Sequence, residues 1–250
     1  MRGKQGKPLA HAGLRMCDFL FARGSMQRIL FALIVGLAGT AILVGLGLWQ
    51  LQRLDWKQGV LAAIEDRISA TPVALPAHPD PVTDKYLPVA LEGRFDSGEI
   101  HVLVSQKHVG AGYRVIAPFV LEDGRRILVD RGFVPVVAVD DARPIGPARV
   151  IGNLHWPDDR NSSTPDNDLA GNIWFARDIV DMAAALDTTQ ALVIARTSEP
   201  EDPAITPLPV DTASIPNDHL QYVITWFSLA AIWLGMTGFY IYRATRNKDA

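Results

Sequence analysis

Two apolar stretches constrain this chain more than anything else in it. Ile29–Leu48 and Leu220–Tyr242 contain no charged residue. At about 1.5 Å of rise per helical residue, each reaches roughly 30 Å, enough to cross a hydrocarbon core. A chain that crosses twice keeps the intervening loop on one face. The polar and aromatic clusters beside the two spans, Trp49–Lys57 and Asn217–Tyr222, are therefore expected at the same interface.

Charge orients the spans. Arg2, Lys4, Lys7, Arg15, Arg23 and Arg28 stand against Asp18 before the first stretch. Arg243, Arg246 and Lys248 stand against Asp249 after the second. The whole chain carries −3, so the region between the spans is strongly acidic. Short basic flanks stay on the cytoplasmic side. This predicts a cytoplasmic N-terminus (1–28), spans at 29–50 and 220–242, a periplasmic domain (51–219) and a cytoplasmic tail (243–250). The first stretch is longer than a signal-peptide core and ends in Trp-Gln, so it reads as an uncleaved anchor in a bacterial inner membrane.

The domain between the spans is large enough for one core. Residues 50–68 extend the first helix, and the proline-rich Thr71–Pro81 connects it onward. Leu87–Phe95, Glu99–Gln106, Tyr113–Val120, Arg126–Arg131, Ala148–Trp156 and Ala191–Thr197 read as strands. Asp123-Gly124 marks a hairpin. Ile173–Leu186 carries a helical stripe, and Glu199–Pro216 is a proline-rich lead-in to the second span. The expected class is an α+β membrane protein: two transmembrane helices flanking a β-rich, mostly antiparallel extracytoplasmic domain.

Several chemistries find no support. Cys17 is the only cysteine, which excludes an intramolecular disulfide, a Cys-x-x-Cys pair and c-type haem attachment. There is no Gly-x-Ser-x-Gly elbow, no His-Glu-x-x-His and no Walker loop. The acidic domain lacks a basic stripe and predicts no nucleic-acid partner. The six histidines show no metal-ligand spacing; His101 and His108 read as ordinary strand or loop residues. Arg125, Arg126 and Arg131 read as solvated strand-edge charges paired with Asp123 or Asp130. Gly132 and Pro135 read as a bend after the strand.

Two clusters remain. Trp49, Arg53 and Trp56 fall at i, i+4 and i+7, on one helical face, with Lys57 beside them. His219 opens the second span with Asn217 as a candidate N-cap, and Tyr222, Val223 and Trp226 lie on its face at i+3, i+4 and i+7. The residues allow two readings of His219: an anchor in an aromatic belt, or an axial ligand for haem iron.

Three blocks together resemble the surfeit locus protein 1 family, assembly factors for haem-copper cytochrome c oxidase. They are Leu48–Lys57; Gly112–Val115 with Pro118, Asp123-Gly124 and Leu128–Pro135; and Asn217–Tyr222 with Thr225–Phe227. Gly171–Phe175 with Asp178 and Met182 also looks like the family's later block. Asp130 and Phe133 stand where the family usually has Asn and Trp, and Val223 where it has Ala.

The resemblance implies a non-enzymatic assembly factor that binds haem a and aids its insertion into the large oxidase subunit. His219 matches the family histidine implicated in haem a binding, which makes it the expected iron ligand. Tyr222, Trp226 and Trp49 are expected to flank the porphyrin, and Arg53 or Lys57 to face its propionates. The implied partners are the oxidase large subunit, haem a synthase and membrane lipids. The competing expectation is a scaffold that binds oxidase subunits without carrying haem.

Overall fold

A computed structural model describes residues 12–106, 110–213 and 215–246. They divide into two compact units. One comprises the chain up to Gly59 together with the segment from Pro216; the other is Val60–Ile215.

The first unit is built on two helices. Helix α1 spans Ala12–Ser69 and α3 spans His219–Arg246. From Met26 onward α1, like α3, is long and apolar enough to cross a membrane. No proline interrupts either helix, and beyond Leu48 the Gln, Arg, Leu and Ala of α1 sustain it, with Leu54, Leu61, Ile64 and Ile68 half-buried. On α1, Gly36, Thr40, Leu43, Gly47 and Gln50 recur at alternating spacings of four and three, and all are buried or half-buried. On α3 the stripe Val223, Trp226 and Ala230 has the same spacing and the same burial. Small residues line this seam because side chains of the partner helix occupy their space. A Cβ on Gly47 would stand 2.9 Å from the Phe227 ring, and one on Gly36 would collide with Thr237. Trp233 Nε1 donates to the Gly36 carbonyl at 3.1 Å.

The second unit is a barrel. Its strands are β1 (Val73–Ala74), β2 (Pro88–Phe95), β3 (Ile100–Gln106), β4 (Gly110–Leu121), β5 (Arg126–Pro135), β6 (Gly146–His155), β7 (Ile173–Trp174) and β8 (Leu192–Glu199). Hydrogen bonding runs β2–β6–β8–β5–β4, and β4 returns to β2. That last pairing, Gly93 to Leu121 through Phe95 to Phe119, closes the ring. Strand β3 extends the sheet beyond β4, and β7 pairs parallel with β3. Pairing is mostly antiparallel, with β5–β8 the longest parallel contact.

Alternation explains the two cores. Ile127, Val129, Val193 and Ala195 point one way, into the barrel with Val89, Leu91, Phe119 and Leu154. Leu128, Leu192 and Ile194 point the other way, where Ile179, Met182 and Ala183 of helix α2 (Ile179–Leu186) cover them. Central β5 is thus buried on both faces and reads as a continuous apolar run. Phe95 and Phe119 meet edge to face with centroids 5.0 Å apart at the closure. The hairpin expected at Asp123-Gly124 forms, with Gly124 at φ +86° and its N–H donating to the Leu121 carbonyl.

Three local expectations are corrected. The helix read over Ile173–Leu186 begins only at Ile179. Ile173 and Trp174 are drawn instead into β7, and Asp178 caps α2 by accepting from Val180 and Asp181 N–H. Gly132 and Pro135 do not bend the chain after a strand, because β5 continues to Pro135. Gly132 sits in a bulge: Asp130 pairs with Ile116 and Gly132 with Val115, so Arg131 has no opposite residue. Its φ of +128°, and the Thr206 carbonyl lying where a Cβ would go, both require glycine there. Finally, Arg131 is no solvated edge charge. The bulge turns it inward, where it donates to Asp202 at 3.2 Å and covers the Phe95 ring at 4.4 Å.

Candidate functional site

Local helix periodicity places the expected residues on two different faces of the helix pair. His219, the first residue of α3, continues the Val223–Trp226–Ala230 stripe toward the helix N-terminus. Gln50 continues the Gly36–Gly47 stripe on α1 and is buried. The two meet: His219 Nδ1 lies 2.8 Å from Gln50 Oε1. An amide oxygen only accepts, so Nδ1 donates, and in the neutral ring Nε2 keeps its lone pair. Among the described residues Nε2 has no hydrogen-bond partner, and the ring is only half-buried. An imidazole held by one nitrogen and open at the other is the arrangement that metal-ligating histidines share.

Gln50 was not singled out by its sequence, since a lone glutamine beside an apolar run is unremarkable. Asp218, the carboxylate adjacent to His219 in the chain, is not its partner; Gln50 is. The heptad spacing that sets Gln50 four residues beyond Leu46 and three beyond Gly47 is the one signal that marks it as facing inward.

The remaining expected residues divide. Trp226 lies half-buried on the His219 stripe, and its Nε1 is buried without a partner. Tyr222 is 51% exposed and lies off that stripe. Trp49, Arg53 and Trp56 share a face as their spacing requires, but that face is exposed rather than the one carrying Gln50. Arg53 rests its guanidinium 4.5 Å from the Trp56 ring centroid and makes no ion pair with a described carboxylate. Lys57 is half-buried on the Gln50 stripe. No hydrogen bond among the described residues ties His219 to Trp49, Arg53 or Lys57. Asn217 does not act as the expected side-chain cap, because its Oδ1 is buried without a partner.

The other histidines are occupied differently. His101 Nε2 bonds Glu99 at 2.7 Å, and its ring lies 5.9 Å from Tyr113. His108 lies outside the described residues. Asp130, fully buried, is ion-paired with Arg114 and accepts from the Gly132 N–H at 3.1 Å. Burial pushes its carboxyl up from the ordinary value, against the pull of Arg114. Among the described residues no three His, Cys, Asp or Glu side chains gather into a metal-holding group.

Gln50, His219 and the barrel all fall within a segment that matches one known family. Residues 37–231 match the SURF1 family. Surfeit locus protein 1 of Rattus norvegicus is 31% identical over 211 residues, which cover 75% of this chain and 68% of the relative. Its counterpart in Homo sapiens is 32% identical over 212 residues, with 75% and 70% covered. A SURF1-like protein of Monosiga brevicollis is 34% identical over 212 residues, with 77% and 80% covered. A match over most of the chain, in one continuous order through both apolar helices and the barrel, shows that this chain belongs to the SURF1 family.

Proposed function

We propose that the protein is a non-enzymatic assembly factor for haem-copper cytochrome c oxidase. It holds haem a at the outer membrane interface and aids its transfer into the large oxidase subunit. The observation that carries this reading is the His219–Gln50 hydrogen bond, which leaves an oriented imidazole with a free Nε2. His219 is the iron ligand in this proposal. Haem would bring its own iron, so the single side chain of His219 would suffice to hold it where no cluster of ligands gathers among the described residues. The exposed rings of Trp49, Trp56 and Tyr222 offer apolar surface to a porphyrin edge. In this reading Arg53, which has no ion-pair partner among the described residues, or Lys57 faces its propionates.

Both termini are cytoplasmic in this reading and the barrel is periplasmic in a bacterial inner membrane, as the basic flanks favour. A reporter fused at residue 150 is expected to signal from the periplasm; a cytoplasmic signal there rejects the two-span topology. The oxidase large subunit is the receiving partner, and haem a synthase the candidate donor.

The decisive experiment is an absorption spectrum of protein purified from cells that make haem a. Wild type is expected to carry a haem band that His219→Ala removes or shifts, with expression and membrane insertion unchanged. Oxidase activity falls only in part, because insertion proceeds slowly unaided. A haem-free wild type rejects the carrier and leaves the protein-only scaffold.

A further inference from the structure

The barrel unit holds a second polar site, separate in chemistry from the helix pair. A pocket of about 340 Å³ is lined by Arg114, His155, Arg177, Ile194, Leu208 and Asp211, among others. Its polar groups are left incompletely used. Arg114 donates through Nε to Asp130 and through one Nη to the Leu208 carbonyl. Arg177 donates through Nε and one Nη to both oxygens of Asp159. In each fork the remaining Nη has no partner among the described residues. Nδ1 of His155 is buried and also unpartnered.

Leaving a buried polar nitrogen without a partner is unfavourable, so its presence calls for an explanation. Packing alone does not supply one. The His155 ring is already held from one side by Tyr86, 5.5 Å away centroid to centroid. Its electrostatic surroundings are mainly positive: Arg177, Lys85 and Arg114 act on it against Asp159. Asp211 stands at the pocket with one carboxylate oxygen engaged by the Ala213 N–H at 3.1 Å. Two free guanidinium N–H edges and an unpartnered imidazole nitrogen line the pocket, with Asp211 the one carboxylate among its lining residues.

We propose that this pocket binds the oxyanion of a small molecule, a carboxylate or a phosphate, between Arg114, Arg177 and Nδ1 of His155. The two ion pairs hold the guanidiniums in fixed orientation, so the free edges are pre-organised for planar or tetrahedral oxygens. Leu208 and Ile194 give the ligand's carbon skeleton an apolar wall, and the volume suits a small anionic metabolite rather than a macromolecule. The proposal does not depend on haem binding.

The test uses the full chain in neutral detergent, with thermal unfolding followed at constant ionic strength. Inorganic phosphate and succinate are titrated separately, with chloride as the reference. A saturable rise in Tm with phosphate assigns the site to phosphorylated ligands, and one with succinate assigns it to carboxylates. The same anion is expected to shift the His155 ring nitrogen resonances in histidine-labelled protein. Arg177→Gln is expected to weaken binding at least tenfold. His155→Phe keeps the ring volume, removes the donor and is expected to do the same should Arg177→Gln fail to fold. A rise no larger than with chloride, or undiminished binding in His155→Phe, overturns the proposal.

Discussion

Nδ1 of His219 and Oε1 of Gln50, 169 positions apart in the chain, lie 2.8 Å from one another. The contact fixes a tautomer as well as a position. Without an acceptor at Nδ1 the imidazole rotates freely and its proton distributes between two nitrogens. With it, Nε2 is the available ligand atom.

Gln50→Leu is therefore expected to weaken haem retention by about 10- to 100-fold while leaving both helices intact. Gln50→Glu keeps an acceptor facing Nδ1 and is expected to retain haem far better than Gln50→Leu. Haem-to-protein ratios after purification decide this, with the band position reporting ligation. Equal ratios for wild type and Gln50→Leu would remove Gln50 from the site.

Arg53 is stacked on Trp56 and has no carboxylate partner among the described residues. If it faces a propionate, Arg53→Ala costs about 1–3 kcal/mol of haem affinity, a drop of roughly 5- to 150-fold. Arg53→Lys should recover part of this, since the charge returns without the fork. Unchanged haem content and oxidase activity in Arg53→Ala would make the residue an interface anchor alone.

Barrel closure depends on Gly93. A Cβ there would collide with the Val120 carbonyl and lie 2.8 Å from Phe119 Cε1. Gly93→Val is expected to destabilise the barrel by about 1–3 kcal/mol and lower its Tm by several degrees. Gly59→Ala is the matched control: nothing lies within 4 Å of its Cβ position, and its helical setting predicts a neutral or slightly stabilising change. Melting curves of the two variants would be compared directly; equal Tm values contradict the closure argument.

Burial pushes the His155 ring down from 6.5 to about 4, with Arg177 adding to the effect. In the unfolded chain the ring protonates as pH falls below about 6.5, whereas in the folded barrel it stays neutral until about 4. The unfolded state thus binds more protons within this window, and stability declines as pH drops through it. The full effect is about 3 kcal/mol at most. His155→Phe should flatten the wild-type stability curve between these two pH values while leaving its slope above 7 unaltered. Parallel curves for the two proteins would show that the ring titrates as a solvated one.

Sequence alone determined the parts of this protein that depend on neighbours along the chain. The two apolar runs are long enough for membrane helices because length and absence of charge are properties of a segment. Asp123-Gly124 forms its hairpin because the turn is closed by the φ that Gly124 itself permits. Val89 and Leu91 alternate into the barrel because a strand's side chains must alternate. The face shared by Trp49, Arg53 and Trp56 follows from helical periodicity in the same way.

Tertiary structure decided everything that needed a distant partner. Periodicity placed Trp49 and Arg53 together but did not reveal that their face is exposed while the neighbouring one, with Gln50, meets His219. The stripe through Ile179, Met182 and Leu186 is real, yet Ile173 and Trp174 leave that helix because His101 and Val102 of β3 offer backbone hydrogen bonds to them. Arg131 looks like a surface charge until the bulge at Gly132 turns it onto Phe95 and Asp202. A residue's own propensity sets its local conformation, but its burial and its hydrogen-bond partners are set by chain brought back from far away, and no segment carries that information alone.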